Sequence, residues 1–434
     1  MAEISSRVQA PSGTTSGFKL RHLRWYICGL LFLATTINYI DRQTIAVLKP
    51  HLQVLQHWSE SDYGWIVFAF QLAYAMMMLV SGKVMDRLGT RLGFALAMVW
   101  WSLAAMAHAF ARSAFQFGIA RFFLGAGEAG NFPASIKSIA EWFPKRERAL
   151  ATGIFNGGTN IGAWVGPWMV AWLTLNWSWR EAFVFTGGLG FLWLLLWLVI
   201  YRLPQRHPWL PSQELAHIES DADDPSERAP QIPWLKLLTY RKAWGFILAK
   251  FMTDPIWWMY LFWLPSYLEQ ARGFSLKMVG LTAGLPFLAA DAGSILGGWI
   301  SSRLLKRGRT VNRARKVAMA LCAFSMPAGI AAVFAPSPWW ALALISISLA
   351  AHQGWSANVF TLASDMFPKK DVGSVVGLGG AAGAVGGMII APVAGYTLQF
   401  THSYIPLFII AGVMHPLAIG VVQWLVPKIE PVRS

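Results

Sequence analysis

The chain has little charge and almost no cysteine for its length. Of its 434 residues, 13% are charged and two are cysteines, whereas 55% are hydrophobic. A soluble globular domain carries about 25% charged residues, so this chain could not cover its surface with polar groups. The two cysteines, Cys28 and Cys322, lie in apolar sequence, and we interpret them as buried structural thiols.

Long polar segments are equally scarce. Twelve apolar runs of roughly 20 residues or more follow one another, the fourth at about 115–138. A bilayer core of about 30 Å needs runs of this length at about 1.5 Å per helical residue. The sequence therefore predicts an all-α polytopic membrane protein. No segment outside the spans is long enough for a soluble cofactor domain, so we expect neither an enzyme nor a cofactor or metal.

The basic residues are unevenly distributed. The net charge is +15, and 27 of the 36 lysines and arginines fall in the termini and even-numbered loops, against five in the odd-numbered loops. This is the positive-inside bias, which explains the charge without nucleic acid and predicts that both termini are cytoplasmic. The N-terminal tail lacks the apolar core of a signal peptide, so we expect no cleavage there.

One polar interruption separates six spans from six. Residues 203–242 mix proline with acidic and basic residues and predict a cytoplasmic linker, with a short interfacial helix at 212–219. The predicted organisation is a cytoplasmic tail (1–23), a first six-helix bundle (24–202), the linker (203–242), a second six-helix bundle (243–427) and a second cytoplasmic tail (428–434).

The two halves contain a repeat. The segment 141–162 (EWFPKRERALATGIFNGGTNIG) aligns with 365–386 (DMFPKKDVGSVVGLGGAAGAVG), and each links the fourth span of its half to the fifth. Membrane folds built from two parallel repeats place the substrate path between the halves, near the bilayer midplane.

The stretch RFFLGAGEAGNFP (121–133) contains G-x-G-x-x-G, the spacing of a dinucleotide-binding loop. Such a loop follows a strand and opens a helix, whereas these glycines lie inside an apolar span. We therefore interpret them as sites of close helix packing around Glu128.

Four charged residues within the spans of the first half are candidates for chemistry. Asp41 and Arg42 lie on the first span, and Arg121 and Glu128 lie seven residues apart on the fourth. Intramembrane charges normally face a cavity and pair with one another, so these are candidate site residues. Their depths predict that Asp41 can meet Arg121, and that Arg121 and Glu128 line one cavity.

The chemistry of these residues suits coupled transport of an anion and a proton. Burial disfavours the charged form of a carboxylate and a nearby arginine favours it, so Glu128 could bind and release a proton as its surroundings change. Arg42 keeps its charge, and its planar fork suits a substrate carboxylate. A permanent structural cluster of ion pairs remains the alternative.

Three motifs carry a family resemblance. GKVMDRLGTR (82–91) and Arg121 with its following glycines and Pro133 resemble signatures of the major facilitator superfamily. NYIDRQTIAVLKP (38–50), with Arg121, Glu128 and EWFPKRERA, resembles its anion:cation symporter family, which includes hexuronate and galactonate transporters. The resemblance implies the major facilitator fold, proton coupling at Asp41 and Glu128, and anion recognition at Arg42.

The same resemblance implies a cytoplasmic gate latch. Its members would be Asp86, Arg87 and Arg91, with Asp86 pairing across the inner end with basic residues such as Arg148. Plain topogenic charge is the alternative, although it explains the acidic Asp86 poorly.

Further polar groups could bind substrate hydroxyls. These candidates are Tyr39, Tyr74, Asn156, Asn160, Gln353 and Asn358. For the four amides, hydrogen bonds between helices are an equal alternative.

The second half offers less specific candidates. Lys250 and Asp254 predict an i,i+4 ion pair that neutralises itself, and Asp254 and Asp291 could each touch the transport path. His352 could carry protons, but a hydrogen-bonded helical histidine is the simpler interpretation.

The resulting hypothesis is a monomeric symporter in the cell inner membrane. It would carry protons with a sugar-acid anion, a hexuronate such as galacturonate or glucuronate, by alternating access. The alternative is an exchanger of organic anions or organophosphates, for which Arg42 and Lys250 could supply one cation in each half. Sodium stays open as the coupling ion.

Overall fold

The protein is a bundle of long helices. The computed structural model describes residues 19–220 and 233–432, and within these ranges the regular secondary structure is helical. The α-helices are α1 (Leu23–Gln56), α2 (Glu60–Leu88), α3 (Thr90–Ala107), α4 (Ala114–Glu128), α5 (Asn131–Trp142), α6 (Lys145–Asn176), α7 (Trp179–Ile200), α8 (Ser212–Glu219), α9 (Trp234–Leu237), α10 (Arg241–Ser266), α11 (Leu276–Thr282), α12 (Leu285–Lys306), α13 (Val311–Ser325), α14 (Ala328–Val333), α15 (Pro338–Met366), α16 (Lys369–Thr401) and α17 (Ile405–Leu425).

These helices make twelve membrane spans. Within the described ranges, eight helical segments are long and apolar enough to cross a membrane by length and composition. The other four spans are interrupted or more polar, and they are formed by α4 with α5, by α6, by α10 and by α15. Six spans precede α8 and six follow it, which confirms the predicted pair of six-helix bundles.

Both described ends of the chain lie on the same side as the linker. The Leu20 amide donates to the Trp209 carbonyl over 2.9 Å, and the Val432 amide donates to the Met366 carbonyl over 2.8 Å. We call this the linker side of the protein and the opposite one the far side. Helices α1, α6, α10 and α16 run from the linker side to the far side, whereas α2 and α12 run back.

Helix α8 is the predicted short helix at 212–219, and it is tied to the first bundle. The Glu214 carboxylate accepts hydrogen bonds from the backbone amides of Leu23 and Arg24 at the start of α1, over 3.1 and 3.3 Å. The Arg24 guanidinium reaches Glu214 over 2.8 Å and Glu147 of α6 over 2.9 Å. The carboxylate thus supplies acceptors that a helix N-terminus otherwise lacks.

The fourth span is broken, which the continuous run at 115–138 did not predict. Helix α4 ends at Glu128 and α5 begins at Asn131. Pro133 explains the break because it has no amide to donate to the carbonyl four residues earlier, at Ala129. Pro286 and Pro327 stand at similar breaks between α11 and α12 and between α13 and α14.

The glycines of the G-x-G-x-x-G stretch pack against other helices, as interpreted from the sequence. A Cβ on Gly125 would collide with the Phe70 carbonyl of α2, and one on Gly127 would lie 2.8 Å from the Trp101 amide of α3. Helix α4 therefore lies against both neighbours at its C-terminal end, where Glu128 projects.

On the far side the two halves touch closely. A Cβ on Gly64 of α2 would lie 2.8 Å from the Ala391 carbonyl and 3.2 Å from Gly395, both on α16. The Ser61 amide donates to the Gln399 side chain over 3.1 Å, and the Tyr63 hydroxyl donates to the Phe262 carbonyl over 2.9 Å. Glycines permit this approach because they carry no Cβ.

Toward the linker side the same helices lie apart. Among the described residues, no atom of another helix lies within 4 Å of a Cβ built on Gly153 of α6, or on Gly373 or Gly380 of α16. Asn156, one turn further along α6, is exposed. The hydrogen bonds of Ser61, Tyr63 and Asn160 to the second half lie toward the far side or near the middle of the spans. The conformation is therefore closed on the far side, and we interpret the linker side as open between the halves.

Both cysteines are buried and free, as interpreted from the sequence. Cys28 lies on α1 and Cys322 lies on α13, with 1% and 9% of their surface exposed. They leave the protein suitable for labelling at introduced cysteines.

Substitution of Gly64 by valine should open the far side. The added side chain would collide with α16 at Ala391 and Gly395, so the far-side-closed conformation should lose population and transport should slow. Spin labels at Val54 and Phe400, which are 78% and 75% exposed, would report a longer distance between the halves.

Gly118→Val is the matched control, because a Cβ on Gly118 meets nothing within 4 Å. It should leave the distance between the labels unchanged. An unchanged distance in Gly64→Val would show that the α2–α16 contact does not hold the far side closed.

Candidate functional site

A buried ion pair lies at the centre of the first half. Arg42 on α1 donates from Nε to Oε2 of Glu128, the last residue of α4, over 2.5 Å. The two side chains are 3% and 0% exposed. The sequence placed both residues in the site, but it suggested Arg121 as the neighbour of Glu128. The structure instead gives Glu128 the same arginine that was expected to bind substrate.

Aromatic rings surround the Arg42 guanidinium. Its Cζ lies 4.8 Å from the ring centroid of Tyr39, 4.7 Å from that of Tyr74, 5.2 Å from that of Phe70 and 5.3 Å from that of Trp258. Such contacts stabilise a cation by about 0.5–2 kcal/mol each, more where water is excluded. The tyrosines were predicted site residues, whereas Phe70 and Trp258 were not.

Trp258 is the member of this group that comes from the second half. It lies on α10, three residues after Pro255. One of many tryptophans in an apolar span gives no signal of its own, and only the packing of α10 against α1 brings it to Arg42.

Arg121 does not pair with Asp41, so that expectation was wrong. Its Nη2 donates to the Arg42 backbone carbonyl over 3.3 Å, and its Cζ lies 5.7 Å from the Phe70 ring. Both Asp41 and Arg121 are buried, with 2% and 1% exposed. Neither carboxylate oxygen of Asp41 has a hydrogen-bond partner among the described residues. Similar predicted depths were therefore not sufficient for pairing, because the orientation of each helix also decides which side chains meet.

Of the four predicted amide side chains, two are at least partly accessible and two form hydrogen bonds between helices. Asn156 is exposed one turn before Asn160 on the same face of α6, and Gln353 of α15 is half-buried. Asn160 donates to the Asp291 carboxylate and so joins α6 to α12 across the halves. Asn358 is buried and donates to the carbonyls of Gly297 and Gly354 over 3.0 and 2.9 Å, which is the packing alternative.

The expected latch between Asp86 and Arg148 is not formed, so that prediction was wrong for this conformation. Asp86 accepts from Lys137 of α5 over 2.7 Å. Arg148 donates to the carbonyls of Phe143 and Ala140, each over 3.1 Å. Lys137 is placed for this pairing because it also donates to the carbonyl of Met85, the residue before Asp86, over 3.0 Å.

The remaining latch candidates stay near their own half. Arg91 donates to the Leu198 carbonyl of α7, and Arg87 is exposed at the end of α2. The Arg91 contact lies within the first half and does not join the two halves.

The charged groups of the second half behave as the simpler interpretations predicted. Lys250 and Asp254 form an i,i+4 ion pair of 2.8 Å between Nζ and Oδ2. His352 is buried, and its Nδ1 lies 3.1 Å from Nε2 of His415 on α17.

Two bundles that touch on one side, with ionisable groups buried between them, define a membrane transporter. The sequence profile of the Major Facilitator Superfamily matches residues 31–351. The hexuronate transporter of Escherichia coli K12 is 35% identical over 418 residues, which cover 95% of this chain and 96% of that protein. The chain therefore belongs to the Major Facilitator Superfamily and is a multi-pass membrane transporter, not an enzyme.

Other relatives are named for different sugar acids. The galacturonate transporter of Dickeya chrysanthemi is 36% identical over 285 residues, covering 65% of this chain and 83% of that protein. A probable galactarate/D-glucarate transporter of Bacillus subtilis is 31% identical over 409 residues, covering 91% and 90%. In fold, the crystal structure of a D-xylose-proton symporter covers 93% of this chain and 98% of its own, with a TM-score of 0.71 and 18% identity.

Removing Arg42 should destabilise the protein in a way that depends on pH. Breaking a buried ion pair costs about 3–5 kcal/mol, because the remaining charge loses its partner. Arg42→Ala should therefore lower the thermal unfolding temperature in detergent at pH 8. The loss should shrink at pH 5, because acid supplies the proton that neutralises Glu128.

The double variant Arg42→Ala with Glu128→Gln is the control, since it leaves no buried charge from this pair. Its loss of stability should be the same at both pH values. A pH-independent loss in the single variant would contradict the idea that Glu128 is the charge left behind.

Proposed function

We propose that this transporter carries a sugar-acid anion together with protons, and that it works by alternating access between the two bundles. The expected substrates are hexuronates such as galacturonate and glucuronate. The observation that carries the proposal is the buried pair of Arg42 and Glu128, because one arginine must serve both the resident carboxylate and the substrate carboxylate.

Competition for Arg42 supplies the coupling. A carboxylate that takes the Arg42 fork displaces Glu128, which is fully buried and then has no partner for its charge. A buried carboxylate without a partner is far more stable when protonated. Binding of the anion therefore favours uptake of a proton at Glu128, and release of the anion allows Glu128 to lose the proton and return to Arg42.

The proposed roles of the neighbouring charges follow from their positions. Asp41 is a second buried carboxylate beside the pair, and we assign it to proton carriage. Arg121 donates to the backbone of Arg42, and we assign it to holding that residue and balancing the two carboxylates. No cofactor or metal has a part in this scheme.

The substrate class follows from the surroundings of Arg42 and from the relatives. Tyr39 and Tyr74 place hydroxyl-bearing rings beside the guanidinium, and we assign the accessible Asn156 and half-buried Gln353 to the space between the halves. These groups suit a substrate with a carboxylate at one end and several hydroxyls along its chain. Relatives at 35% and 36% identity are named for hexuronate and galacturonate.

We propose that the linker side faces the cytoplasm, with the protein in the inner membrane as a monomer. The excess of lysine and arginine on that side supports this orientation. The present conformation would then be the inward-open one, from which substrate leaves into the cell. The loop residues Asp86, Arg87, Arg91 and Arg148 stand at this opening, where they could close the path in the opposite conformation.

The rival exchanger of organophosphates finds less support. A doubly charged phosphate would favour two available cations, one in each half. Lys250 is held by Asp254 of the same helix over 2.8 Å, whereas the partner of Arg42 is the carboxylate to which we assign proton uptake, so we assign the incoming anion to Arg42 alone.

Uptake into proteoliposomes should test the substrate class and the coupling ion together. We expect accumulation of galacturonate and glucuronate when the outside is acidic, and little accumulation of lactate or glucose 6-phosphate. Sodium should have no effect at constant pH. Uptake that needs phosphate or a sugar phosphate inside the vesicles, and no pH gradient, would favour the exchanger instead.

Glu128→Gln should separate binding from proton coupling. Glutamine keeps the shape of the side chain but cannot take up a proton, so uptake driven by a pH gradient should be abolished. Binding of galacturonate, or its exchange across the membrane, should stay measurable. The control is Glu181→Gln, an exposed carboxylate at the start of α7, which should keep proton-driven uptake. Proton-driven uptake that survives in Glu128→Gln would refute the mechanism.

A further inference from the structure

One face of α10 extends from its contact with Arg42 toward the linker side. Lys250, Asp254 and Trp258 are spaced four residues apart and so lie on the same face of the helix. Trp258 is the residue that contacts Arg42, with 5.3 Å between its ring centroid and the guanidinium carbon. Asp254 follows one turn closer to the linker side, about 6 Å along the helix axis.

The Lys250–Asp254 pair is built into this face. Nζ of Lys250 lies 2.8 Å from Oδ2 of Asp254 and 4.3 Å from the ring centroid of Phe360 on α15. A Cβ on Gly383 of α16 would collide with the Asp254 carboxylate. The absence of a side chain at Gly383 therefore provides the space for the Asp254 side chain. The Asp254 side chain is 20% exposed and that of Lys250 is 8% exposed.

Two cations, Arg42 and Lys250, could therefore bind substrate carboxylates, but they differ in how readily their resident partners release them. Arg42 lies in the first half, and its resident partner Glu128 can be neutralised by a proton under the proposed function. Lys250 lies in the second half, and its partner Asp254 is adjacent on the same helix. The Lys250 backbone is two turns from Trp258, but its Nζ lies beside Asp254, one turn away. A six-carbon chain with a carboxylate at each end could extend from Arg42 over that turn toward Nζ, but there it would meet Asp254 as well.

We propose that Asp254 determines the charge of the substrate. The Asp254 carboxylate already pairs with the Lys250 ammonium. The site therefore accepts a single negative charge at Arg42 and repels a second one. The protein would thus select uronates, which carry one carboxylate, against aldarates, which carry two. This inference rests on the proposed function, since it concerns the far end of the same substrate.

The proposal predicts opposite effects from the two members of the pair. Asp254→Asn leaves Lys250 with an uncompensated charge, so the second carboxylate of galactarate gains a partner. Lys250→Met leaves Asp254 uncompensated, so it repels galactarate more strongly than galacturonate. A role in packing alone would weaken the binding of both substrates together and would not change their ratio.

The experiment measures displacement of labelled galacturonate from purified protein by unlabelled galacturonate and by galactarate. In Asp254→Asn the ratio of galactarate affinity to galacturonate affinity should rise about tenfold, the size expected for one added charge-assisted hydrogen bond. In Lys250→Met the ratio should fall. The double variant, in which the pair is neutral again, should return the ratio to near that of the native protein, and Asp254→Glu should keep it.

The outcomes separate this inference from the proposed function. Native protein that binds no uronate would refute the proposed function. Native protein that binds galacturonate, with the same ratio in Asp254→Asn, Lys250→Met and the double variant, would overturn the role of Asp254 alone. If Asp254→Asn does not fold, the ratio in Lys250→Met decides: a fall supports the proposal, and no fall overturns it.

Discussion

The ion pair between Arg42 and Glu128 is the interaction on which the rest of the structure depends. A charge buried in a membrane protein is costly, and each member of this pair is tolerated because of the other. The surrounding structure serves that balance. Aromatic rings replace water around the guanidinium, Pro133 ends α4 at Glu128, and the glycines before it let α4 lie against α2 and α3. The last carbonyls of α4 also disfavour a negative charge there, so Arg42 offsets the helix end as well as the burial.

The pair also links the first half of the protein to the second. Trp258 reaches Arg42 from α10 while the far side is closed by α2 and α16. A movement that separates the halves on the far side would withdraw this ring and let water reach the guanidinium. The stability of the pair would then change with the conformation, because water screens the attraction and solvates both charges. Under the proposed function, the Trp258 side chain would thereby connect alternating access with the affinity of Glu128 for a proton.

The sequence was sufficient for the membrane class, the twelve spans, the linker helix and the identity of the buried charges. These follow from hydrophobic length and from the high cost of an intramembrane charge, and both are local properties of the chain. The choice of partner is not local. Whether Glu128 meets Arg42 or Arg121 depends on how each helix is rotated and tilted, and for the same reason Asp41 does not pair with Arg121. Asn358 likewise proved to be a packing residue, because its neighbours are backbone carbonyls at glycines, which no pattern in α15 reveals.

Charge balance connects these observations with transport. The four charges of the candidate site in the first half, Asp41, Arg42, Arg121 and Glu128, sum to zero when all are ionised, and the Lys250–Asp254 pair is neutral. A bound monoanion would leave the closed site with one uncompensated charge, which a region of low dielectric disfavours. One proton at Glu128 restores neutrality, so the loaded site carries the same net charge as the empty one. Under the proposed function, this equality allows both forms to pass between the two conformations, while the anion without a proton is held back.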